Sequence, residues 1–188
     1  MMALMDEPGW ELLSKRDIYR GYVTLTEHEV MLPNGDVTHY EVDESYPCGV
    51  AVLGLTESGH IRLAREYRYP VGRWIYDLPG GGANIGEDPV DAARREYEEE
   101  TGLSPVDLTH LHTFYQNPGR SSVPVHLYLC RSVVSGTPVT DDPQEVVRTV
   151  EMSLHELDDR ISSGEIIDPA LLISRLIAAQ KGYLPPVS

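Results

Sequence analysis

Glu99 and Glu100 follow Glu96 by three and four positions, in a segment (residues 81–103) that carries seven acidic side chains in twenty-three residues. On a helix this spacing puts the three carboxylates on one face. Like charges so placed cost roughly a few tenths of a kcal/mol per pair, and more where water is excluded. Arg95, one turn before Glu99, offsets part of that cost. At the level of residues two readings stay open. The segment is a solvated surface helix, or its carboxylates await a divalent cation that takes oxygen ligands and assists hydrolysis.

The elements around this cluster follow from pattern. Residues 87–101 are the best helix candidate: Pro89 lies near the start, where its missing N–H costs little, and Gly102 supplies a stop. Val90, Ala93 and Tyr97 form an apolar stripe beside the carboxylates, and Asp91, Arg94 and Glu98 fall on the opposite side. Gly80, Gly81 and Gly82 read as a loop feeding the helix. Upstream, residues 18–32 read as a strand, with a turn signal at Asn34-Gly35. Strands are expected over 38–44, 48–56, 61–69 and 73–79. Downstream, residues 108–116, 125–134 and 146–153 read as strands, and 154–163 and 168–180 as helices. Leu171, Leu172, Ile173, Leu176 and Ile177 give the last its period. The mixture is α+β. His110 and His112 share a face if their strand alternates; with no third ligand nearby they read as strand histidines, not a zinc site.

Gly81, Glu87, the run Arg95-Glu96-Tyr97, then Glu99-Glu100 and Gly102-Leu103 resemble the Nudix box at every fixed position. Tyr97 stands where an aliphatic residue is commoner. The resemblance implies an α/β/α sandwich with a mixed β-sheet over residues 47–188. An N-terminal strand segment, residues 1–46, would precede it and build a homodimer. It also implies Mg²⁺, with Mn²⁺ as the alternative. Glu96 and Glu100 would be the principal ligands, Glu99 an additional or shared one, and the Gly80 carbonyl would complete the set. Glu87 would order the loop or reach a metal through water, and Arg95 would orient Glu99.

Selectivity lies outside the box. The run REYRYPVGRWIYDLPGG, residues 65–81, resembles the ADP-ribose and nucleotide-sugar pyrophosphatase branch. That branch usually has Glu-Leu-Pro-Ala where this chain has Asp77-Leu78-Pro79-Gly80. By this resemblance Arg68 would bind a substrate phosphate, with Arg65 and Arg73 as further candidates. Pro118, sixteen residues past Gly102, resembles the marker of ADP-ribose pyrophosphatases. Beside it, Arg120-Ser121-Ser122 replaces the branch's acidic pair, so Pro118 and Arg120 are candidate substrate contacts. Glu145 matches the branch's loop glutamate and would be the general base, with Asp141 and Asp142 as alternatives. The implied reaction cleaves ADP-ribose to AMP and ribose 5-phosphate. Two other readings are a pyrophosphatase for a GDP- or UDP-hexose, and a nucleotide sensor that does not hydrolyse.

Composition bounds the partners. The chain of 188 residues suits one hydrolase domain with its N-terminal segment. Its formal net charge of −15 disfavours electrostatic capture of nucleic acid or an anionic membrane. Cys48 and Cys130 sit in apolar runs and read as reduced core residues. Neither a secretory signal nor a run of about 20 apolar residues is present. A cytoplasmic enzyme or binding protein is expected.

Overall fold

The computed structural model describes residues 9–136 and 148–187. Two compact units emerge. The smaller holds the described part of Met1–Ser45 together with Asn117–Val123. Its strands β1 (Glu11–Arg20), β2 (Thr24–Met31) and β3 (Val37–Asp43) form an antiparallel meander. The run read from sequence as one strand over 18–32 is two: the chain turns at Gly21, whose N–H donates to the Val23 carbonyl at 2.9 Å. β-Branched and aromatic residues on both sides hide that single glycine from a propensity argument. All ten residues of β1 are exposed. Residues 117–123 belong to this unit through Asp43, whose N–H donates to the Arg120 carbonyl at 2.7 Å. The Tyr40 hydroxyl likewise donates to the Gly119 carbonyl at 2.8 Å.

The larger unit holds Tyr46–Gln116 and Pro124–Ser188. Its mixed sheet is built from β4 (Gly49–Leu55), β5 (Ile61–Arg68), β6 (Arg73–Asp77), β7 (Gly80–Gly82), β9 (Thr109–Tyr115), β10 (Pro124–Cys130) and β12 (Arg148–Met152). The order is β12-β5-β4-β10-β9, with β6 beside β5 and β7 beside β4. β10 runs parallel to β4, and the other pairings are antiparallel. A small ribbon joins β8 (Leu103–Pro105) and β11 (Val133–Ser135).

Alternation along β4 assigns the two faces. Val50 and Val52 pack with Ala92, Ala93 and Tyr97 of helix α1 (Pro89–Thr101). Ala51 and Leu53 pack with Leu157 of α2 (Leu154–Ser162) and with Leu171 and Ala178 of α3 (Pro169–Gln180). The sheet thus lies between α1 on one side and α2 with α3 on the other. This is the α/β/α sandwich expected, of α+β class with a mixed β-sheet. Cys48 and Cys130 are free and buried. No helix among the described residues is long and apolar enough to cross a membrane.

Two local expectations are corrected. Residues 80–82, read as a loop, pair as β7 with Gly49 to Ala51, and at Gly80 the missing Cβ lets the strand lie against the Val50 carbonyl of β4. His110 and His112 do not share a face. A bulge in β9 sets His110 opposite Tyr128 and His112 opposite Leu127, which are successive residues of β10.

Candidate active site

The site grows from the way α1 is fastened. Asp88 caps it, its carboxylate accepting from the Val90 N–H at 2.9 Å, and Pro89 opens the first turn. Gly102, at φ 70°, closes it in the left-handed region. Ala92, Ala93 and Tyr97 are fully buried. Tyr97 takes the place of a smaller aliphatic residue because its ring reaches over Gly54, where any Cβ would collide with the ring and its hydroxyl. Arg62 donates to that hydroxyl at 3.5 Å.

With the helix so seated, Arg95 gathers the acidic face. Its guanidinium binds Glu87 twice, at 2.9 and 3.0 Å, then Glu96 at 2.7 Å, Glu99 at 3.2 Å and the Gly82 carbonyl at 3.2 Å. Glu87 also accepts from the Asn84 N–H at 2.8 Å. The Arg95 bonds first, then the Asn84 amide, hold the Glu87 carboxyl down at about 2. The same contacts push Arg95 above its ordinary range. Glu96 lies so close to Gly81 that a Cβ there would stand 2.5 Å from Glu96 Oε2. A side chain at position 81 would have to push the Glu96 carboxylate aside.

Deeper in, Asp77 is held away from water and Glu100 is half-buried. Glu100 accepts from the Gly80 N–H at 3.4 Å. Burial first, then the charge of Asp77, pushes its carboxyl up to about 9, with Glu66 and Glu96 adding to the rise. Asp77 is 3% exposed. Burial and its contact with Glu66 push it up to about 8, against the pull of Arg68. Arg68 donates to Asp77 Oδ2 at 2.8 Å and pairs with Glu66. Asp77 Oδ1 is buried without a partner.

Glu66 and Asp77 were missed by sequence reasoning as members of the site. Their signal lay in strand pairing. Ala64 faces Asp77, and Glu66 faces Ile75, so Glu66, Arg68 and Asp77 share the α1 side of the sheet.

These donors suit a hard divalent cation. Carboxylate oxygens and a backbone carbonyl are its preferred ligands. The orphaned Asp77 Oδ1 and the mutual repulsion felt by Glu100 mark a site short of positive charge. Glu96 and Glu99 are turned toward Arg95. Among the described residues no three acidic, histidine or cysteine side chains converge on one point at ligand distance. Taking up an ion therefore requires the Arg95-held carboxylates to swing.

Of the remaining candidates, Arg65 is not brought to this cluster. It lies on the opposite face of β5, 5.6 Å from the ring centres of Trp74 and Tyr76. Arg73 is the cross-strand neighbour of Arg68. Pro118 and Arg120 belong to the smaller unit, where Arg120 lines a hollow with Glu27, His39 and Tyr40. Glu145, Asp141 and Asp142 lie outside the described residues.

Residues 45–169 match the NUDIX domain, and the chain belongs to the Nudix family. Within that family it falls in the ADP-ribose pyrophosphatase branch. It is 35% identical over 159 residues to the ADP-ribose pyrophosphatase of Bacillus subtilis (strain 168), covering 83% of this chain and 85% of that protein. It is 31% identical over 164 residues to the methanol dehydrogenase activator of Bacillus methanolicus, covering 86% and 88%. A solved structure described as an ADP compounds hydrolase superposes with a TM-score of 0.76 at 22% identity, over 94% of this chain and 98% of that one, and supports the fold. The chain is a hydrolase of pyrophosphate bonds, and its family uses divalent metal ions.

Proposed function

We propose that this protein is a Mg²⁺-dependent ADP-ribose pyrophosphatase, releasing AMP and ribose 5-phosphate, with Mn²⁺ as an alternative ion. The observation that carries the reading is the crowding of Glu66, Asp77 and Glu96 about Glu100, itself bonded to the Gly80 N–H, with Asp77 Oδ1 unpartnered. Glu96, Glu99, Glu100 and the Gly80 carbonyl would hold the ion. When bound, it would neutralise the diphosphate and acidify a water.

The chain's own residues do the rest. Arg95 fixes Glu87, Glu96 and Glu99 and ties them to the Gly82 carbonyl, so the acidic face and its loop move together. Arg68 balances Asp77 and Glu66 and turns a half-exposed guanidinium toward an arriving phosphate. Glu145 is assigned as the base that takes the proton of the attacking water, with Asp141 and Asp142 as alternatives. Residues 1–46 form a dimerisation segment ahead of the hydrolase domain at 47–188. The homodimer is supported by the exposed Trp10, Leu12, Leu13, Ile18 and Tyr19. The setting is cytoplasmic.

A second reading, hydrolysis of another nucleotide sugar, is favoured by one observation. Arg120-Ser121-Ser122 stands where the branch carries an acidic pair. A sensor without activity is disfavoured, since every box carboxylate is retained. The test is to incubate the protein and Mg²⁺ with ADP-ribose, NADH, GDP-mannose and UDP-glucose and to quantify released monophosphate. ADP-ribose is expected to be turned over fastest. Comparable rates on every substrate, or binding without turnover, would overturn the assignment.

A further inference from the structure

A cavity of about 440 Å³ opens in the larger unit at the end of β4 remote from β7, where β4 turns into β5 and β10 has just ended. Two arginines line it, and neither is fully spent. Arg62 bonds only at length, to the Tyr97 hydroxyl at 3.5 Å and to Glu151 at 3.3 Å, out of five N–H donors. The Arg131 guanidinium lies 5.2 Å from the centre of the Tyr183 ring and has no carboxylate partner among the described residues. The ring steadies that charge without neutralising it. The backbone beneath is pinned as well: Asp107 accepts from the Arg131 and Ser132 N–H groups at 3.1 and 2.8 Å. The Ser132 hydroxyl, also on the wall, enters no hydrogen bond with another described residue. Thr56 and Ser58, whose hydroxyls bond each other at 2.8 Å, add to the polar lining. Against these stands Glu57, an exposed carboxylate on the same wall.

We propose that this cavity is an anion site, separate from the carboxylate cluster, that takes a phosphate dianion, free or at the end of a small phosphomonoester. Each guanidinium offers a fork of N–H donors, and a phosphate has oxygens enough to meet both forks and the Ser132 hydroxyl together. A single carboxylate would fill one fork and leave the other unpaired. An apolar ligand would strip water from both cations and return no bond. The net charge of −15 sets the size of the partner: it repels a polyanion, whereas a small dianion meets mainly the two arginines. A hydrolase of pyrophosphate bonds releases phosphomonoesters of this kind itself. Arg62 also touches Tyr97 of α1, so a bound anion reaches the helix of Glu96, Glu99 and Glu100 through one side chain.

Calorimetric titration of inorganic phosphate into the full-length protein, in chelator and at fixed ionic strength, tests the site without turnover. Wild type should bind one phosphate per chain with a Kd on the order of 1 mM or tighter. Arg131→Gln, folded to the same extent by circular dichroism, should weaken binding about tenfold or more. Glu57→Gln, which removes a negative charge from the wall, should tighten it about two- to threefold. Both positions are exposed, so neither variant disturbs the core. Ribose 5-phosphate and AMP, titrated in parallel, separate the sources: tighter binding than phosphate marks a monoester site, weaker binding a site for the free ion, and either must weaken in Arg131→Gln. Arg68→Gln controls for capture at the carboxylate cluster and should bind phosphate as wild type does. Absence of saturable binding by all three probes, or equal affinity in wild type and Arg131→Gln, would overturn the proposal. So would a loss in Arg68→Gln alone, which would put the anion in the active site. None of these outcomes bears on the hydrolase reading, which the substrate panel above tests by turnover.

Discussion

Glu100 and Asp77 concentrate the electrostatic cost of the site. Their carboxyls ionise ordinarily near 4.5 and 3.8, but near 9 and 8 in the folded protein. The folded state therefore binds more protons than the unfolded chain between these values. Without divalent ions, stability that is full below about pH 4 is lost as pH rises toward 9. In a chelator the melting temperature should fall from pH 5 to pH 9, and Mg²⁺ should restore most of the loss. Glu100→Gln should flatten the slope and melt higher at pH 8 in chelator, yet lose activity on the order of 100-fold. An unaltered slope in that variant would contradict the assignment. The box glutamates and Arg95 were legible because their spacing is fixed within one helix. Glu66 and Asp77 were not, because their adjacency depends on how β5 and β6 pair across a turn.

At the scale of elements, α1 is fitted to its sheet by complementary exceptions: an aromatic residue at position 97 and no side chain at position 54. Gly54→Ala should destabilise the protein by about 1–3 kcal/mol, because Tyr97 is fully buried and its ring has nowhere to move. Adding Tyr97→Leu should recover much of that loss in a chemical denaturation series. A double variant no more stable than Gly54→Ala would show that the two positions are not coupled. The helices and most strands were legible from periodicity and from their caps. What escaped were features of pairing: the Gly80–Gly82 strand, the β9 bulge that separates His110 from His112, and the break at Gly21. Each depends on a partner strand, which local pattern does not contain.

For the whole molecule, thirty acidic residues against fifteen basic ones make association depend on apolar surface or on bridging cations. β1 presents that apolar surface, with Leu12 54% exposed. The protein should elute as a dimer by light scattering on a sizing column. Leu12→Glu should shift it toward monomer without changing its secondary structure by circular dichroism. A wild-type protein monomeric at tens of micromolar would contradict the dimer proposal. The α+β class was legible from element order; the α/β/α layering and a dimer built on the N-terminal strands were implied only by resemblance.

Manganese binding followed by electron paramagnetic resonance tests the site most directly. Titrating Mn²⁺ into wild type should quench the free-ion signal with at least one ion bound per chain. Glu96→Gln/Glu100→Gln, folded to the same extent, should leave that signal free. Equal binding by the two proteins would place the ion elsewhere and contradict the assignment of these carboxylates.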